Sequence, residues 1–152
     1  MHCETCAKVR VSMIHRHNAI VNYLLDHLPK LYEAVPVDVK HDSFEQIRVD
    51  CRQPDIRFKI ETRTMIMDVA FCKDELRMEQ AFRNKIEKYN VDNGHGEPLY
   101  EQHCIIPVII NYRGFLYHRT IELLEKYVPE LNLIKLMCEA MRQIVIASYN
   151  AT

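Results

Sequence analysis

Residues 52–71 read RQPDIRFKIETRTMIMDVAF, and this stretch decides the layout of the chain. Its first part alternates: Ile56, Phe58 and Ile60 fall on one face, and Arg57, Lys59 and Glu61 on the other, as in a half-buried strand. The second part, TMIMDVAF (64–71), is almost continuously apolar, the pattern of a strand covered on both faces. Each run carries an aspartate. Asp55 follows Pro54, Asp68 lies inside the apolar run, and twelve residues separate them. A carboxylate in an apolar strand is costly unless a partner or a cation satisfies it. Asp55 after Pro54 also suits a turn, and Asp68 could be paired with a basic side chain. Two acids on neighbouring strands could instead share one hard divalent cation, Mg²⁺ or Mn²⁺.

The segment KDELRMEQAFRNKIEKYN (73–90) predicts a helix, with Asp74 as its N-cap and Asn90 as its stop. At 100° per residue, Met78, Phe82, Ile86 and Tyr89 fall within about 80° of one another. Lys85 lies inside that apolar stripe, whereas Arg77, Arg83 and Lys88 lie well off its centre. A lysine on a core-facing stripe either snorkels or finds an acid. Asp68 is the acid within reach, as a structural ion pair or as part of a site.

Further from this centre, SMIHRHNAIVNYLLDHLPKLYEAV (12–35) predicts a helix from about Ser12 to near Pro29, with Ile14, Ile20, Val21, Leu24, Leu25 and Leu28 at helical spacing. IRVDC (47–51) alternates as a strand. CIIPVIINYRG (104–114) predicts a second apolar strand, its Pro107 pointing to an edge or a bulge. Between them lies a polar loop, 91–103, whose His95 and His103 are expected in solvent. HRTIELLEKYV (118–128) and LNLIKLMCEAMRQIVIASYN (131–150) predict two closing helices, the last with Ile134, Met137, Met141, Ile144 and Val145 on its apolar face. The order helix, strands, helix, strand, helices describes an α/β sandwich around a mixed sheet.

Composition narrows the function classes. A chain of 152 residues suits one domain, here 12–152, preceded by a short segment, 1–11. Three glycines and no glycine-rich run exclude a P-loop. A net charge of −1 excludes a strongly basic nucleic-acid clamp, though not a local patch such as Arg48, Arg52, Arg57, Lys59 and Arg63. No run is long enough to span a membrane, and no signal peptide is expected from MHCETCAKVR. Of the six cysteines, Cys51, Cys72, Cys104 and Cys138 are expected as buried free thiols in a reducing, intracellular compartment.

Taken in order, these motifs resemble the restriction-like (PD-(D/E)XK) endonuclease domain of non-LTR retrotransposon reverse-transcriptase polyproteins. RHNAIVNYL (16–24) is similar to the helix that opens that domain, through Arg16, His17 and Asn18. QPDIRF (53–58) and IMDVAF (66–71) resemble its paired acidic strands, NKIEKY (84–89) its lysine–tyrosine helix, and IIPVIINYRG (105–114) the strand and turn that follow. The usual members of the wider fold place the lysine two residues after the second acid. Here that position is Ala70, and the resemblance is to the branch that carries the lysine on the next helix.

The resemblance implies a restriction-endonuclease-like core with a mixed central sheet flanked by helices, and a metal-dependent nuclease that nicks DNA. Asp55 and Asp68 would bind Mg²⁺ or Mn²⁺, Lys85 would orient the nucleophile or stabilise the phosphate, and Tyr89, His17 and Asn18 would support them. Arg57 and Lys59 are candidates to hold DNA phosphates. The implied partners are DNA and a reverse-transcriptase polyprotein or its RNA. Action on genomic DNA would place the chain in the nucleus, and restriction-like enzymes that cut both strands often do so as homodimers. The family's zinc knuckle is represented by Cys3 and Cys6 alone, with His15 or His17 as a third ligand; a structural zinc wants four, so a truncated remnant is expected rather than a zinc site. Two alternatives stand beside this expectation: a catalytically silent nucleic-acid-binding or assembly module of the same fold, and a viral cap-snatching RNA endonuclease, whose histidine His41 would supply.

Overall fold

The structure, a computed structural model, describes residues 4–37, 53–90 and 104–151. The strand expected at 47–51, the loop at 91–103, His41, Arg48, Arg52, Cys3 and Cys51 lie outside them, as does the side chain of Cys6.

The alternating run forms β2 (Ile56–Ile60) and the apolar run forms β3 (Arg63–Cys72), joined by a two-residue turn at Glu61 and Thr62. β2 buries Ile56 and Phe58, and β3 buries every side chain from Met65 to Val69. A short strand, β1 (Val35–Pro36), pairs antiparallel with β2. The strand β4 (Ile105–Asn111) pairs parallel with β3, placing Pro107 opposite Asp68. The result is a four-stranded mixed sheet in the order β1-β2-β3-β4.

Pro107 thus sits on an edge strand, where its missing N–H costs no ladder bond. The outer edge of β4 is covered by α3 (His118–Tyr127). There the Thr120 hydroxyl donates to Pro107 O at 2.7 Å and accepts from Ile109 N at 3.3 Å. A buried hydroxyl therefore satisfies both strand groups that would otherwise lie bare.

Helices cover both faces. On one lie α1 (Glu4–His27) and α4 (Leu133–Ala151), whose Ile20, Leu24, Leu136 and Ala140 pack on Phe58, Met65, Met67 and Val108. On the other lies α2 (Glu75–Tyr89), whose Met78 and Phe82 pack on Cys72 and Ile109. Full burial of such side chains contributes about 1.5–3 kcal/mol each. Asp74 caps α2 by accepting from Arg77 N at 3.1 Å, and Asn90 ends it, both as its sequence predicts. No helix among the described residues is long and apolar enough to cross a membrane.

Three expectations change. α1 opens at Glu4 rather than near Ser12, so residues 4–11 continue the first helix instead of forming a separate leading segment. α4 turns its inward stripe only in part as expected: Met137 packs on the core and Ile144 is half-buried, but Ile134 and Val145 are 72% and 68% exposed and Met141 is exposed too, while Leu136, Ala140 and Ala147 are buried. α4 is apolar around most of its circumference, so periodicity alone could not choose its face. Close packing against α1 favours a stripe with small residues. Cys138 shares the outward face and is exposed, whereas Cys72 and Cys104 are buried.

Candidate functional site

Asp55 and Asp68 meet where β2 begins. The ladder extends one step beyond β2, with Asp55 N donating to Met67 O at 3.1 Å, so the two aspartates stand side by side on adjacent strands. Asp55 Oδ2 accepts from Val69 N at 2.8 Å and lies 3.0 Å from His17 Nε2. Asp68 Oδ2 lies 2.7 Å from Lys85 Nζ and accepts from the Tyr89 hydroxyl at 2.9 Å. The same hydroxyl is 3.1 Å from Gln53 O.

The four residues expected at the centre, Asp55, Asp68, Lys85 and Tyr89, are therefore brought together, and His17 joins them from α1. Among the described residues Asn18 reaches the site through the other ring nitrogen of His17, its Oδ1 3.2 Å from Nδ1. Arg57 and Lys59 follow Asp55 on alternate residues of the same sheet face; Lys59 pairs loosely with Glu33 at 3.4 Å. Lys88 is an addition. Though off the centre of the apolar stripe of α2, its Nζ reaches to 3.9 Å from Asp68 Oδ2. A flexible four-carbon stem covers that angle, and no residue periodicity reports it.

The electrostatics push the two acids apart. Burial and the adjacent Asp55 carboxyl raise the Asp68 pKa to about 6, against the opposing pull of Lys85. Burial also presses on Asp55, but the hydrogen bonds with His17, Asp68 and Val69 N outweigh it and hold its pKa below the usual carboxylate value. The hydrogen bond to Asp55 raises the His17 pKa despite partial burial. Two like charges this close do not both ionise freely.

A stability prediction follows. A folded-state pKa above the ordinary value means that folding favours protonated Asp68. The stability so contributed is full below about pH 4 and is lost as pH rises through about 6. Asp68→Asn is permanently neutral and nearly isosteric. Without metal it is expected to exceed the natural chain in stability by about 1–3 kcal/mol at pH 7.5, with the gain vanishing near pH 4. Urea denaturation in EDTA at the two pH values measures this. A loss of stability at pH 7.5 would mean that the Lys85 ion pair dominates instead.

The donor set fits a hard divalent cation. Every hydrogen bond and ion pair that the two carboxylates receive from the other described residues goes to Oδ2, and the two carboxyls also meet each other, as the two sides of a shared cation site would. No group of three or more His, Cys, Asp or Glu among the described residues is gathered to hold a metal unaided. Mg²⁺ is accustomed to that situation, taking one or two carboxylates and completing its shell with water and substrate phosphate.

No family model matches this chain, and no curated protein does. The site therefore speaks through its own geometry: paired acids on adjacent strands, a lysine on the next helix, and a buried tyrosine and a histidine each bonded to one of the acids.

Proposed function

We propose that the chain is a metal-dependent endonuclease domain that hydrolyses phosphodiester bonds in DNA, of the restriction-like type found in non-LTR retrotransposons. The observation that carries this is the convergence of Asp55, Asp68 and Lys85 from β2, β3 and α2 on one spot. Asp55 and Asp68 would hold Mg²⁺ or Mn²⁺, which when bound supplies a Lewis acid and a hydroxide nucleophile at neutral pH. Lys85 places a cation where negative charge builds on the phosphoryl oxygens. Tyr89 holds Asp68 and His17 holds Asp55, fixing the carboxylate rotamers so that little reorganisation accompanies the reaction. Arg57 and Lys59 offer positive charge to the DNA backbone on the same face.

The mutual 2.7 Å contact of Lys85 and Asp68 also suits a silent module that keeps the pair as a structural ion bridge. Nicking of supercoiled plasmid in Mn²⁺ against EDTA, with Mn²⁺ binding followed by calorimetry, separates the two. Metal-dependent nicking supports the nuclease. Neither binding nor cleavage leaves the silent module.

A further inference from the structure

A groove of about 520 Å³ runs between α1 and α4, away from the α2 face of the sheet. Lys8, Ser12, His15 and Arg16 line it from α1, and Gln143 and Asn150 from α4. Among the described residues, no aspartate or glutamate lines it.

Arg16 is the unusual member. It is only 7% exposed, yet its Nε is buried without a hydrogen bond, and no acid pairs with it among the described residues. Its guanidinium carbon lies 4.1 Å from the Phe71 ring centre and 4.8 Å from that of Tyr112. Aromatic faces partly compensate a buried cation, but they offer no strong acceptor to the Nε–H. A buried donor left without an acceptor is costly, and an anion would complete it. A guanidinium edge matches the oxygens of phosphate bidentately, Lys8 adds a second cation, and Ser12 and Asn150 are neutral donors.

We propose that this groove is a phosphate-binding site anchored by Arg16, and that its ligand is a backbone phosphate of a nucleic acid. Arg16 directly precedes His17, whose ring holds Asp55, so one turn of α1 serves both the groove and the carboxylate centre. The nucleic-acid source rests on the nuclease reading; the phosphate site does not.

The test follows the Arg16 Nε–Hε resonance of the ¹⁵N-labelled full chain in EDTA, where no metal-dependent cleavage occurs, assigned by its loss in Arg16→Lys. Inorganic phosphate and a short DNA duplex are titrated separately. Both are expected to shift this resonance. Gln143→Glu replaces the amide that donates to Glu139 at 2.9 Å with a carboxylate on the groove wall, and is expected to weaken both ligands about tenfold by like-charge repulsion, with a thermal melt checking that the fold is kept. No shift with either ligand overturns the site. A shift with phosphate and none with DNA keeps the site and overturns nucleic acid as its ligand. Since cleavage is not read, a failure of plasmid nicking leaves these outcomes intact.

Discussion

Lys85→Ala is expected to reduce metal-dependent plasmid nicking by about 100- to 1,000-fold, the usual cost of removing one preorganised charge at a reacting phosphoryl group. Asp68→Ala is expected to be at least as damaging, because it removes the carboxylate proposed to hold the cation, which is also the acceptor for Lys85 and Tyr89. Lys88 makes the result more informative. Its Nζ already lies 3.9 Å from Asp68 Oδ2, so it can enter the space that Lys85 leaves. Residual nicking in Lys85→Ala should then disappear in Lys85→Ala/Lys88→Ala. A thermal melt of each variant separates lost chemistry from lost fold. Unchanged nicking in folded Lys85→Ala would assign the lysine to a structural ion pair and sink its catalytic role.

Gly114→Ala is expected to lower stability by about 2–4 kcal/mol, adding a left-handed backbone penalty to overpacking. Gly114 has φ +92°, a conformation that L side chains rarely adopt. An added Cβ would also press on the Met141 side chain and lie 3.0 Å from Met141 N and 3.1 Å from its Cα. The side chain can swing into solvent, but the α4 backbone cannot. Gly114→Ala/Met141→Ala should therefore remain destabilised, with most of the loss retained. For a domain of this size the drop in thermal midpoint should be roughly 10 °C. A drop below about 2 °C would show that the turn shifts freely from α4. The residue matters because this turn carries Tyr112 and follows β4, so its seat on α4 fixes one wall around Arg16.

Local pattern sufficed wherever a residue's environment was decided by its near neighbours. The alternation of Ile56 and Phe58, the unbroken apolar run of β3 and the stripe that carries Lys85 into contact with Asp68 were all legible, because strand and helix periods fix which side chains share a face. Pro107 announced its edge for the same reason: a residue without an N–H has few places in a sheet. The pairing of Asp55 with Asp68 was also readable, since a short two-residue turn sets the register of β2 on β3.

Residue pattern alone was thus enough for β2, β3 and β4, the α2 face and the membership of the acidic centre; β1, a two-residue strand, carries no period to read. Long-range packing decided which stripe of α4 faces inward, how His17 comes to hold Asp55 across thirty-eight positions, and how Arg16 comes to be buried against Phe71 and Tyr112. The physical reason is common to all three. Each depends on where α1 and α4 lie against the sheet, which is set by long-range close packing around Ala140, Ala147 and Phe71, and no local period encodes it.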